Sequence, residues 1–512
     1  MNRELGWSEE RMQLGWSKRL CQTVLPPSWI GRYGALLLAT IMMNGARVYA
    51  QGDELPPPAP EEVAAEIGAD VEVFSRGPLH ESYATAHTRD AIEFPIVKKK
   101  PPQPIEEIVP EYRPAGKNVL WVPGYWYYDD EQDDFLWISG LWRNAPPGRQ
   151  WVPGYWAKVD QGYQWRPGMW VQAGGTVTFQ PPPPASQERG PSSPRPSENH
   201  FYVPGYWQYQ DGKYVWKPGF WTRHQRGWVW VPARYYRSGN NAVFVNGYWD
   251  YKLNQRGQLF APVRFRNDVT AGSDFRFQPK VAWINGSPLL LHLFVRGDTA
   301  AYYYGDYYDE RYRSRYRPWY EHAQTYGYAD PLLSYYEWTG GGTFVENLRN
   351  WHKYFVEHPD FRPRSTLLEQ LAFLRDNQGR KYVDQLLTTN LLSRLVQGAG
   401  QQGFVRVDDA TAGSVRQIAE TMRALTQQRL QLEQGASNLI GQALNLPQLP
   451  ALPTFNATSG QVIPSDGGGI IPSIPGVRVP EGGIEIPDAG APLPGGLEVP
   501  RLPIDPPGGL PF

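Results

Sequence analysis

The sequence predicts a mainly β fold with a separate α-helical C-terminal module. The β part is an antiparallel meander of short strands with Pro-Gly and Asp-Gly turns, flanked by disordered segments. Three observations carry this reading. Eighteen aromatic residues between 121 and 265, thirteen of them Trp, alternate spacings of 5 with spacings of 9 or 11. Pro-Gly and Asp-Gly dipeptides fall inside those spacings. Beyond residue 344, Leu-rich stripes at helical spacing replace the rhythm.

Short hexads carry the pattern: WVPGYW at Trp121, WISGLW at Trp137, WVPGYW at Trp151, WRPGMW at Trp165, YVPGYW at Tyr202 and WKPGFW at Trp216. Degenerate copies follow as WVPARY, FVNGYW and FAPVRF. Residues five apart on an unbroken strand face opposite sides of a sheet, so the corner inside each hexad decides where the rings go. Pro presets φ for the second position of a tight turn, and Gly accepts the positive φ of the third. A turn at Pro218-Gly219 pairs Lys217 with Phe220 and Trp216 with Trp221. Asp211-Gly212 is a strong hairpin signal, pairing Gln210 with Lys213, Tyr209 with Tyr214 and Trp207 with Trp216. The same arithmetic pairs Trp156 with Trp165 and Tyr235 with Phe244. It pairs Trp126 with Trp137 across a longer loop at Glu131-Gln132. The expectation is one aromatic rung per strand, continuing to Phe265. Type II turns oppose the natural twist of hairpin strands, which leaves a second option open: the Pro-Gly corners are bends between sheets.

These hexads resemble the YXWGXW, or WXXGXW, repeat proteins of bacteria. The resemblance covers about residues 119–265. It implies export and a repeat fold, and it brings no reaction, cofactor or catalytic residue to carry over. Ala233 and Val263 replace the turn Gly, so those corners should have another geometry.

The rest of the chain divides by composition. Residues 1–50 read as a secretory signal: Arg19 and Arg32 lead the apolar run Ala35 to Met43, and Val48-Tyr49-Ala50 precedes a cut between Ala50 and Gln51. That run is too short to span a bilayer, for which about 20 residues are needed. Cys21, the one cysteine, lies before the cut, so the mature chain has neither disulfides nor thiolate metal sites. Residues 51–118 form a Pro/Glu-rich linker. Residues 119–170 and 201–300 are the two aromatic blocks, the second with an extra hairpin at Asn285-Gly286. Between them, 171–200 is a Pro/Ser-rich linker. A Tyr/Arg-rich segment (301–343), a helical module (344–440) and a disordered Pro/Gly-rich tail (441–512) follow. In the helical module Thr366 and Glu369 form a capping box. Leu386, Leu387, Leu391, Leu392 and Leu395 fall at helical spacing before Gly398. Val415, Ile418, Met422 and Leu425 make a stripe suited to a core or a coiled-coil seam.

Chemistry is sparse. A net charge of −1 gives no bulk electrostatic attraction to nucleic acid. No His pair, GxSxG, P-loop or dinucleotide fingerprint stands in a supporting context, so no catalytic, cofactor-binding or metal residue is assigned and no enzyme activity is expected. The acidic run Asp129 to Asp134 could gather oxygens for calcium, but a solvated turn explains it. The Arg/Tyr segment is read as surface or packing. Rings at Trp151, Trp156, Trp165, Trp207, Trp216 and Trp221 are candidate stacking positions for sugar faces, with Lys213, Arg223 and Arg166 as donors. As core, the same rings bind nothing. Envelope glycans or other envelope proteins are the partners to expect, and the oligomeric state is open. The leading reading is a non-enzymatic, exported cell-envelope scaffold or binding protein. Glycan binding is the alternative, and an envelope polymer hydrolase comes third.

Overall fold

The computed structural model describes residues 59–463 apart from 117, 267–269, 271–274, 284–286, 327, 377–387, 399–403, 436–437, 450–453 and 456–461. The signal segment, with Ala50 and Gln51, lies outside the described residues. The fold is mainly β, built from many short antiparallel strands, with the helices mostly in the C-terminal part.

The polar turns behave as the spacing predicts. Trp126 pairs with Trp137, Trp156 with Trp165, Trp207 with Trp216 and Tyr235 with Phe244. At Asp211-Gly212 both residues have positive φ, 50° and 78°, the signature of the hairpin turn that matches strand twist.

The Pro-Gly corners do not turn the chain back. Trp216 pairs with no residue of its own hexad; Trp221 pairs instead with Tyr202. In the same way Trp121 pairs with Trp142, Trp151 with Trp170 and Trp230 with Trp249. Two hexads therefore lie antiparallel, corner opposite corner, in one long hairpin that bends at its middle. There are four such ribbons, at 119–144, 149–172, 200–223 and 228–251. A type II turn would hold its Gly at positive φ. The corner residues Gly124, Gly140, Gly154, Gly168, Gly205, Gly219 and Gly247 are absent from that region, so the corners are bends. Beyond the fourth ribbon the rungs end: Phe265 pairs with Val71, and Phe260 bridges to Ala282.

Each ribbon carries at least two cross-strand ring pairs. Trp121 and Trp142 sit 5.2 Å apart at 70°, Trp126 and Trp137 5.2 Å at 74°, and Trp207 and Trp216 5.2 Å at 74°. Edge-to-face packing of this kind adds roughly 0.5–1.5 kcal/mol per pair beyond burial.

The flanking segments wrap the ribbons. Residues 60–114, expected as a linker, carry a helix (Pro60–Ile67) and five short strands, with Leu79, Tyr83 and Ala86 buried. Their apolar side chains alternate with Pro and Glu, which hides the burial from a composition count. In the Tyr/Arg segment, Tyr302, Tyr303, Tyr304, Tyr307, Tyr308, Tyr316 and Tyr320 all enter the core. The turn expected at Asn285-Gly286 lies outside the described residues; of its flanks, Val281–Trp283 pairs with Thr389–Leu391, and Ser287–Leu291 is helical. Leu391 lies in that strand, while Leu386 and Leu387 fall outside the described residues. The capping box forms reciprocally, Thr366 N–H to Glu369 at 3.2 Å and Glu369 N–H to Thr366 at 3.4 Å. The helix Asp409–Gly435 buries Val415, Ile418, Met422 and Leu425.

The corner glycines are needed for space. A Cβ on Gly140 would lie 2.5 Å from the Trp121 ring and 2.6 Å from the Val122 carbonyl; on Gly154 it would lie 2.5 Å from the Trp165 ring. Gly140→Ala should therefore cost roughly 3 kcal/mol, at the upper end of overpacking. Gly342→Ala, with nothing within 4 Å of its Cβ, should be near neutral. Chemical denaturation of both variants checks this; equal stabilities would contradict it.

Candidate functional site: carboxylate seats at the bends and an aromatic cleft

A bend interrupts the ladder and strands backbone donors and acceptors that must find other partners. In the first ribbon a glutamate from outside the repeat supplies the acceptors. Glu107 accepts from Gly124 N–H at 2.9 Å, Gly140 N–H at 2.9 Å and the Trp137 indole at 2.9 Å, and the Trp121 indole also bonds to it. Glu81 does the same in the second ribbon, taking Gly168 N–H at 2.8 Å, the Trp165 indole at 3.1 Å and Gly154 N–H. In the third ribbon Glu188 accepts from Gly205 N–H and, at 3.2 Å, from the Tyr202 hydroxyl. In these three ribbons the first Trp or Tyr of each hexad thus covers the glycine of the facing hexad, and Trp121, Trp137, Trp165 and Tyr202 also bring an N–H or O–H to the shared carboxylate. The hexad spacing builds a carboxylate seat.

The carbonyls left at the bends are met from the other side. His80 bonds the Pro123 carbonyl at 3.0 Å. Arg429, on the helix Asp409–Gly435, donates to the carbonyls of Pro153 at 3.0 Å and Pro167 at 2.9 Å while paired with Glu433 at 2.6 Å.

The fourth ribbon departs together at two positions. Ala233 stands where Gly124 stands in the first ribbon, and Phe244 where Trp137 stands. A methyl group fills part of the seat, and Phe brings no N–H needing an acceptor. The Trp230 indole N–H is buried with no hydrogen-bond partner among the described residues.

Of the candidate stacking residues, Trp151 and Trp165 are buried, and Trp156, Trp207, Trp216 and Trp221 are half-buried. The third ribbon is the exposed one, with Phe220 49 % and Val215 41 % accessible. Its indoles are partly engaged: Trp207 donates to the Ala185 carbonyl at 3.0 Å and Trp221 to Ser193 at 3.1 Å, both on the Pro/Ser-rich stretch. Of the named donors, Arg166 is buried, and Lys213 and Arg223 are exposed.

Trp156 and Trp165 reach a cleft of about 740 Å³, shared with Tyr127, Tyr128 and Tyr326. Its polar wall comes from the acidic loop, residues 296–299 and the Tyr/Arg segment, the first far from the other two in sequence. Arg296 grips Asp130 at 2.7 and 3.1 Å and Asp298 at 2.8 and 2.9 Å; Arg315 adds a contact to Asp130 at 2.9 Å. Burial works against it, but Arg296 and Arg315 hold the Asp130 carboxyl below its ordinary value. Glu131 pairs with Arg76 and Asp134 with Lys99. The acidic run is therefore an arginine- and lysine-paired turn rather than a bare solvated one. Among the described residues, no group of acidic, His or Cys side chains is arranged to hold a metal ion.

The four ribbons can now be set beside known sequence families. The WXXGXW repeat model matches residues 116–143, 151–171, 199–222 and 226–250, one stretch per ribbon. The chain carries WXXGXW repeats. In this repeat the two outer aromatics and the Gly form half of a bent ribbon, and two copies close one seat. No curated protein and no solved structure matches the chain.

Two measurements test the seats. Glu107→Ala leaves at least three donors without their acceptor, each worth roughly 1–3 kcal/mol when buried, so a loss of about 3 kcal/mol or more is expected in denaturant unfolding. A loss under about 1 kcal/mol would make the seat incidental. The second is pH. Burial pushes Glu81 and Glu107 up to about 7 and Asp330 up to about 6, their N–H donors pulling the other way. A raised carboxyl keeps its proton longer when folded, so its contribution is present in acid and lost as pH rises through 7. Burial, with arginine neighbours, pushes His80, His224 and His352 from 6.5 down to about 4 and His87 to about 3. Their contribution is present above 6.5 and lost as pH falls. His87→Gln removes the largest of these imidazole shifts, so its unfolding midpoint should fall less between pH 6.5 and 4 than that of the wild type. An equal or steeper fall in His87→Gln would contradict this.

Proposed function

We propose that this protein is a non-catalytic, exported cell-envelope scaffold with a binding role, and that its repeats serve as rigid structural modules. The observation that carries the reading is the use made of the carboxylates in the repeat region. Glu81 and Glu107 are spent on Gly and Trp N–H groups, Glu188 on Gly N–H groups and the Tyr202 hydroxyl, and Asp130 and Asp298 are gripped by Arg296. Export rests on the basic and apolar N-terminal segment. In keeping with release from that segment, no helix among the described residues is long and apolar enough to cross a membrane.

A second reading, glycan recognition by ring faces, is favoured by the half-exposed rings of the third ribbon. Cell fractionation with N-terminal sequencing tests the first reading: the chain should appear in the envelope or the medium, beginning at Gln51, and a full-length cytosolic product would contradict export. Pull-down on purified envelope glycans, with Trp207→Ala and Trp216→Ala, tests the second. Lost binding in variants that still fold supports ring-face recognition at that ribbon, and unchanged binding excludes it.

A further inference from the structure

The cleft beside the second ribbon lies away from the bend of the third, and nothing in the repeat pattern accounts for it. Its floor and walls combine two chemistries. Trp156 is half-buried, its N–H already donated to the Trp126 carbonyl at 2.9 Å, so its ring serves by its face alone. Tyr128 stands beside it across Phe135, with centroid separations of 5.5 Å on each side. Tyr326 lines the cleft as well.

Among these rings lie polar groups held in fixed positions. Arg296 locks Asp130 and Asp298 in bidentate pairs, so both carboxylates face the cleft neutralised yet still able to accept further hydrogen bonds. Exposed Arg317 adds donors that form no ion pair among the described residues, and Ser314 and Thr325 add hydroxyls. The Thr299 hydroxyl, on a residue 7 % exposed, lies within hydrogen-bonding reach of the Tyr127 hydroxyl at the cleft wall. Three arginines against two aspartates leave the wall close to neutral. A strongly anionic polymer finds little excess charge there, and a purely apolar ligand meets too many polar groups.

We propose that this cleft binds an oligosaccharide, with sugar C–H faces against Trp156 and Tyr128 and hydroxyls on Asp130, Asp298 and Arg317. Pyranose rings present a flat apolar face and a rim of hydroxyls that both donate and accept, which matches this alternation of ring faces with locked acid–base pairs. The volume admits several sugar units, since ligand pockets of drug-sized molecules span roughly 300–1,000 Å³. The inference rests on the binding role proposed above but locates it away from the third ribbon.

The test is calorimetric titration of the full mature chain with chitotetraose and cellotetraose, run beside a proline-rich peptide. Tyr128→Ala and Arg317→Ala are compared with Trp207→Ala, and thermal melts confirm that each variant folds. Tyr128 and Arg317 are superficial enough to be changed without opening the core. The expected result is binding of at least one oligosaccharide, weakened tenfold or more by Tyr128→Ala and Arg317→Ala and unchanged by Trp207→Ala. Glycan binding lost only in Trp207→Ala overturns the cleft while sparing a glycan-binding function. Binding of the peptide alone, or of nothing, overturns the proposal.

Discussion

The whole repeat region depends on one constraint: a ribbon cannot bend without stranding its own backbone polar groups. At each bend of the first two ribbons, two Gly N–H groups are left without ladder partners, and the indole N–H of a first-position Trp is buried beside them. A carboxylate that arrives from another part of the chain meets them at 2.8–3.1 Å. Hydrogen bonds to an ionised acceptor are among the strongest a protein makes, and enclosing a carboxylate is tolerable only when its lone pairs are met. Each seat therefore stabilises the bend, and its N–H donors offset part of what burying the carboxylate costs.

This explains why the hexad needs Gly, Trp and their spacing at once. The glycine is a gap into which the facing ring and the carboxylate fit. The Trp supplies both the lid over that gap and a donor beneath it. Where one element is lost, its counterpart is lost too, as Ala233 and Phe244 show in the fourth ribbon. The ribbons then pack through a second buried network, in which Asp250 of the fourth ribbon holds Arg143 of the first at 2.6 Å and Arg256 at 3.1 Å. Function is left to the surfaces that this packing does not consume, the half-exposed third ribbon and the cleft.

Much of this was legible in the residues. Asp211-Gly212 and the polar centres of the 9-residue gaps give the hairpin registers because turn chemistry is local. Thr366 with Glu369, and the stripe from Val415 to Leu425, report helices for the same reason. The corners were harder to read. Pro-Gly is a turn signal by propensity, and only a far-off partner such as Glu81, 87 residues before Gly168, turns it into a bend. One signal pointed that way: buried Trp N–H groups need acceptors, and each glutamate of the Pro-rich stretches was a candidate. The cleft was beyond reach, because Asp130, Arg296 and Trp156 meet only through tertiary packing. The stacking candidates Trp156 and Trp165 and the acidic run each supply part of its lining, but nothing in the sequence joins them.

Hydrogen exchange of the Trp indole N–H protons, followed by NMR, tests the central claim most directly. The seat account predicts that Trp137 and Trp165, which donate to glutamates, exchange only on global unfolding, while exposed Trp207 and Trp221 exchange orders of magnitude faster. Rapid exchange at Trp137 and Trp165 in the intact fold would contradict it.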